Sequence, residues 1–348
     1  MPRPGFSYDP YKGIVATACT VSSTILPVIV TKKEFWGFAL TNFFLFLLYT
    51  SGYYQPEKYS LHLPWKLTST TGGLMTFFVV FYNSHCFSRY CQLYDVTKRM
   101  QGMILEITSH LRGRIPNMCH QRRALRYIVA SCFVFFFERS AGEISHNEWQ
   151  QMLELQLLKA VEVSALKKLE AGGYNLHLLH WALEVIMDGI PDVHSRDDLM
   201  NCVFDKIYYI RVCQAKIKDT LDLPMPFQYF HIMSFMLMIN LSLWSYALAM
   251  QDSYFAPVIY TFIQMVFQSI RELSAALSDP FGDDDVDFPV SEWLEDMIHV
   301  STRLLEDTYD ATKRLDNEEA YPVDDFFEPH ISSGSLRTKG QYIELPQR

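Results

Sequence analysis

The signatures of an enzyme are what this sequence most lacks. Its 348 residues hold no G-x-S-x-G elbow, no glycine loop shaped for phosphate and no CxxC pair. The usual frameworks for acyl transfer, nucleotide chemistry and thiol exchange are missing, so the chain reads as a non-enzyme. Clustered positive charge is also scarce. With a net charge of −9 and an acidic second half, a nucleic-acid partner is not expected, because phosphate binding needs a cationic face. The 7 cysteines are an odd number without metal or disulfide spacing, which predicts reduced cytosolic thiols, most of them in apolar surroundings. No charged leader precedes a short apolar core in Met1 to Gly13, which predicts no cleavable signal. His177, His180 and Glu184 share a helical face, yet no second ligand set at fixed spacing accompanies them, and no catalytic metal is expected there.

What the chain has is apolar surface, 49% of its residues with 15% aromatic. A membrane-crossing helix needs about 20 mainly apolar residues. Phe35 to Tyr54 provides them without a charge. A second span starts near Leu67, is rich in small residues (Thr68 to Gly73) and continues as the more polar Asn83 to Tyr94. The third is Phe227 to Met250 and the fourth Phe255 to Leu273. In the fourth, Gln264, Gln268 and Glu272 recur at i, i+4, so one polar face should meet protein or water and not lipid. A shorter run, Ile128 to Phe137, is bounded by charges and reads as a buried helix outside the membrane.

Basic residues favour the cytosolic side of a membrane. Lys32 and Lys33 precede the first span, and Arg89, Lys98, Arg99, Arg112 and Arg114 follow the second, whereas Met250 to Tyr254 has none. Both termini are thus expected in the cytosol. The expected organisation is a cytosolic segment over residues 1–33 and paired spans over 34–90, with a pore helix at 67–90. A cytosolic helical domain follows over 91–222, with long helical patterns such as Trp149 to Leu169 broken near Gly172 and Gly189. Residues 223–274 form the second pair of spans, 275–329 an acidic turn with C-terminal helices, and 330–348 a flexible tail.

Two local signals stand out. Asp279, Asp283, Asp284, Asp285 and Asp287 crowd a turn opened by Pro280 and Gly282, where carboxylates repel unless solvent or a hard cation neutralises them. Such a turn is either a cation clasp or a solvated cap, with Asp287 and Ser291, for the helix that follows. Phe77 and Phe81 lie one turn apart on the second span. Around a symmetry axis they would form aromatic rings able to gate by dewetting; alone they read as packing or lipid-facing side chains.

Taken in order, several stretches resemble the bestrophin family of pentameric anion channels. Phe77-x-x-x-Phe81-Tyr82 is followed by Ser88-Arg89-Tyr90-Cys91-Gln92-Leu93-Tyr94-Asp95, similar to the animal T-R-W-W-N-Q-Y-E. Ser23 to Pro27 resembles the lead into the family's first span, Pro224-Met225-Pro226-Phe227-Gln228-Tyr229 its P-x-P-F-x-Y, and Tyr260 to Gln264 its F-T-F-L-Q. Asp279-Pro280-Phe281-Gly282 with the acids beyond is similar to N-P-F-G-E-D-D-D-D-F. The likeness covers about residues 23 to 310.

The resemblance implies an all-α membrane protein: a homopentamer with four transmembrane helices and a large cytosolic helical domain per subunit, passing chloride, bicarbonate and other small anions through the bilayer. The neck rings fall on Gly73, Phe77 and Phe81, the first reduced to a glycine that implies a wider outer neck. The cytosolic aperture falls on Leu199 or Val203, and a regulatory Ca²⁺ site on Asp279, Asp283, Asp284, Asp285 and Asp287, with no organic cofactor. A plasma or endomembrane location is expected over a plastid. The competing reading is a non-conducting helical scaffold of the same fold.

Overall fold

The computed structural model describes residues 11, 13–21, 24–59, 61, 63–169, 173–190, 193–223, 225–282 and 286–306. These are helical, with one 3₁₀ turn and no strand among them. In chain order the helices are α1 (Ile14–Ala18), α2 (Ile25–Thr31), α3 (Lys33–Thr50), α4 (Trp65–Arg114), α5 (Met118–Ala141), α6 (His146–Glu154), α7 (Ala160–Leu166), α8 (Tyr174–Asp188), α9 (Val193–Asp222), α10 (Phe227–Ala249), α11 (Ala256–Ser278) and α12 (Val290–Glu306). Ser23, Pro224, Asp283, Asp284, Asp285 and the tail lie outside the described residues.

α4 organises everything else. Its 50 residues make a rod of ~75 Å at 1.5 Å per residue, and two separate cores form along it. On its first half, Met75, Val79 and Tyr82 pack with Met233, Leu237 and Leu241 of α10 and Tyr260 of α11. On its second half, Ile104, Ile107 and Leu111 pack with Ile128 and Phe133 of α5, Leu178 of α8 and Ile210 of α9. Tyr90 touches both cores. The polar stretch Asn83 to Tyr94 is therefore a continuation of one helix across the junction between them.

The first core is stitched by buried polar contacts that span long separations. Asn42 Nδ2 donates to the Ser245 carbonyl at 2.7 Å, joining α3 to α10. Gln264 Nε2 donates to the Phe35 carbonyl at 2.6 Å, joining α11 to α3. The polar face of α11 thus meets protein: Glu272 pairs with both Lys32 (2.5 Å) and Arg271 (2.6 Å). By length and apolarity, α10 is the one described helix able to cross a membrane. α3 and the first half of α4 nonetheless leave Leu40, Phe43, Phe44, Leu47, Leu74 and Val80 exposed, a surface that water does not favour.

α4 and α10 approach closely at a glycine. A Cβ on Gly72 would stand 2.5 Å from the Trp244 ring, well inside contact distance. Gly72→Ala is expected to force the indole off α4 and lower stability by ~1–3 kcal/mol, the usual cost of overpacking. Thermal unfolding of the purified protein in detergent checks this; an unchanged midpoint would show that the two helices part without cost.

Two expectations need correcting here. The pattern Trp149 to Leu169 predicted a long helix, but the chain folds as α6 and α7 with a break at Leu155–Lys159. Leu157 and Leu158 are both buried, so the segment that joins the two helices is itself part of the core. The left-handed Gln156 (φ 56) turns the chain between them. Four of the seven cysteines are exposed, among them Cys119 and Cys202, so most do not sit in apolar surroundings.

Candidate functional site

Gly73, Phe77 and Phe81 share one face of α4, which the described residues leave largely open, with Tyr229 of α10 touching the edge of Phe81. Phe77 is 63% exposed and Phe81 44%, their rings stack at 6.0 Å, and the space beyond Gly73 is open. The opposite face of the same turns, Met75, Val79 and Tyr82, is fully buried. The exposed aromatics are thus fixed outward by the register of the core. His85 extends this face by one more turn, edge-on to Phe81 at 4.4 Å. Reading at i, i+4, i+8 from Phe77 would have found it.

Asp279 ends α11 and opens the acidic turn. The turn is closed at its far side by a backbone bond from Phe288 N to the Pro280 carbonyl at 2.9 Å. Gly282 makes room inside it: a Cβ there would meet Asp287 Oδ2 at 3.0 Å. Asp287 is buried against the turn. α12 starts at Val290, which places Ser291 inside its first turn, so Ser291 is not the cap. Among the described residues no group of three acids, histidines or cysteines forms a metal cluster, and three of the five predicted ligands lie outside them. The two described carboxylates, Asp279 and Asp287, flank a closed loop and supply the hard oxygen donors that Ca²⁺ prefers. To that extent the residues fit a calcium ion.

The turn is fastened to α4 by contacts that the sequence did not suggest. Tyr90 Oη donates to the Val286 carbonyl at 3.1 Å. Arg89 donates to the carbonyls of Ser278 (3.2 Å) and Leu223 (2.7 Å), holding the end of α11 and the entry to α10 together. Phe288 sits among Tyr90, Tyr94 and Trp293 at ring distances of 4.7, 5.9 and 5.2 Å. Lys98 lies 3.9 Å over the Trp293 ring, and partial burial lowers its pKa while Asp296 opposes the shift. A cluster of four aromatics over a partly desolvated cation ties α12 to the same stretch of α4.

Leu199 and Val203 are not brought to the exposed aromatic face. They are 1% and 0% exposed and belong to the stripe Leu199, Val203, Ile207, Ile210 by which α9 joins the second core. Counting along the sequence selected residues on the inner face of α9. At the same level Asn201, Cys202 and Phe204 are exposed, as is Asp197. His180 pairs with Glu184 at 3.3 Å on an exposed face of α8.

A family model described as bacterial/fungal bestrophin protein matches residues 9–303. Among solved structures, a single-substitution form of a bacterial bestrophin homologue from Klebsiella pneumoniae is 19% identical, covers 78% of this chain and 97% of its own, and superposes with a TM-score of 0.67. Another crystal structure of the bestrophin homologue from that organism, solved by zinc phasing, is 20% identical with a TM-score of 0.65, covering 78% of this chain and 95% of its own. A third, titled only as a membrane protein, covers 79% of this chain and all of its own at 19% identity, with a TM-score of 0.68. No curated protein sequence matches the chain.

Proposed function

This chain belongs to the bestrophin family, and on that premise we propose that five copies assemble into a pore that passes chloride, bicarbonate and similar small anions. Membership makes it a membrane protein of the anion-channel kind. In our reading α3, the first half of α4, α10 and α11 are the four spans, both termini are cytosolic, and α4 lines the axis. The observation that carries this is the largely open face of α4: Phe77 and Phe81 are held outward by a packed core, with His85 one turn on. Around an axis they become stacked aromatic rings, a constriction that excludes water when narrow and offers positive ring edges to an anion. Gly73 gives the outer end of the neck a wider bore. The cytosolic aperture is then formed by the exposed side of α9 near Phe204, in place of Leu199 and Val203.

Calcium regulation is a separate part of the proposal. Asp279 and Asp287, with Asp283, Asp284 and Asp285 between them, would hold the ion, whose charge would relieve the repulsion among them. Anion efflux from liposomes carrying the protein is expected to rise with calcium and fall with a chelator. Asp287→Asn should remove most of the calcium response while leaving the chelator baseline unchanged. Equal efflux in both conditions would end the calcium proposal and spare the channel. No efflux from any preparation of correctly assembled protein would favour the non-conducting scaffold.

A further inference from the structure

Between the end of α5, the start of α8 and the middle of α9 lies a cavity of about 700 Å³, lined by no residue of the aromatic face or the acidic turn. Its floor is polar and incompletely bonded. Gln214, 2% exposed, accepts a bond from Asn175 Nδ2 at 2.8 Å through Oε1, which leaves its Nε2 buried without an acceptor. Glu138 Oε1 is buried without a donor. Burial pushes the Glu138 carboxyl above the usual carboxylate range, against the pull of Lys218 and Arg139. Arg139 is occupied by Asp222 at 2.9 Å, while Arg211 and Lys218 stand exposed at the rim. The walls are apolar, with Phe135, Trp149 and Tyr174 among them.

A buried donor and a buried acceptor left unmet are costly, and both are relieved by a ligand carrying the complementary pair. We propose that this cavity binds a small zwitterion with an apolar body, the chemistry of a free α-amino acid with an aromatic or aliphatic side chain. The ammonium group meets Glu138, the carboxylate meets Gln214 Nε2 and the rim cations, and the body lies against the aromatic wall. A purely anionic ligand would face the Glu138 carboxylate, and a purely cationic one would face Arg139, Arg211 and Lys218. Concave, mostly apolar sites with a few convergent polar groups are where small molecules bind.

The proposal is independent of conduction and is tested by calorimetry on the full-length protein in nanodiscs. L-phenylalanine is titrated beside phenethylamine, which lacks the carboxylate, and 3-phenylpropionate, which lacks the ammonium. Phenylalanine should bind, and each analogue should bind at least about tenfold more weakly. Glu138→Gln should weaken phenylalanine by a similar factor. Arg211→Ala, at an exposed position that the fold tolerates, should weaken it too, with the unfolding midpoint unchanged. No binding of phenylalanine at millimolar concentration, as when a neighbouring copy fills the cavity, would overturn the proposal. So would equal affinity for either analogue, or affinity unchanged in both variants.

Discussion

Replacing Phe77 and Phe81 together by alanine is expected to leave an assembled protein whose anion efflux no longer waits for an opening stimulus. Both side chains project from the largely open face of α4, so their removal costs the core little. What disappears, in the proposed pore, is the apolar constriction. Removing a dewetting barrier of only ~1.4 kcal/mol raises a rate about tenfold, so basal flux should rise by at least that order while the calcium-dependent increment shrinks. Liposome efflux with and without chelator, beside a sizing measurement of the oligomer, gives the answer. Gated efflux that is unchanged in the double variant would place the constriction elsewhere. The single variants should be intermediate, because stacking at 6.0 Å lets either ring hold part of the neck.

Glu162→Gln is expected to be the most damaging substitution around the second core. One carboxylate receives Arg126 Nη2 at 2.6 Å and Nη1 at 3.0 Å, Tyr127 Oη at 2.6 Å and Lys159 N at 2.7 Å. These donors join α5 to the start of α7. Burial pushes the Glu162 carboxyl upward, but the bonds from Arg126, Tyr127 and Lys159 outweigh it and hold the pKa below the ordinary value. Burial and the Glu162 contact push the Tyr127 hydroxyl up to about 12. Breaking a buried pair by removing one partner costs about 3–5 kcal/mol, and a deficit at the lower end is expected here, since both side chains keep some exposure.

The pH dependence of that deficit has a definite sign. The folded pKa lies below the unfolded value of ~4.3, so the contribution of Glu162 is complete above that value and is lost as the pH falls through the folded pKa. Native and variant unfolding midpoints should therefore differ most at neutral pH and converge in acid. A deficit that is the same at neutral pH and at about pH 3 would show that Glu162 acts through shape and not charge.

Those features were legible or hidden for physical reasons. α10 and the buried stripe of α5 could be read directly, because long apolar runs have few alternatives. The shared face of Phe77 and Phe81 could be read because they repeat at helical spacing on a helix whose other face is apolar. The continuation of the second span through Asn83 to Tyr94 was also expected, but the full length of α4, to Arg114, was not, because its second core faces helices distant in sequence. The break between α6 and α7 was hidden because helical periodicity resumes after Gln156, a residue type that does not announce the left-handed backbone found there. The burial of Leu199 and Val203 was not legible, because a sequence count does not fix the rotation of a helix. The acidic turn was visible as a cluster, but its ties to Arg89 and Tyr90 join residues more than 100 positions apart. No window along the sequence contains both ends of such a contact.

A continuous rod has mechanical consequences that two hinged helices would not. Tyr90, where the acidic turn is fastened, lies nine residues from Phe81, or ~14 Å along the axis at 1.5 Å per residue, and Gly72 presses on Trp244 at the far side of the neck. With that contact as fulcrum and no proline within Trp65–Arg114 to absorb bending, a small displacement at Tyr90 is expected to reach the Phe81 ring as tilt. The same lever runs outward in the other direction, so whatever narrows the neck is expected to strain the acidic turn.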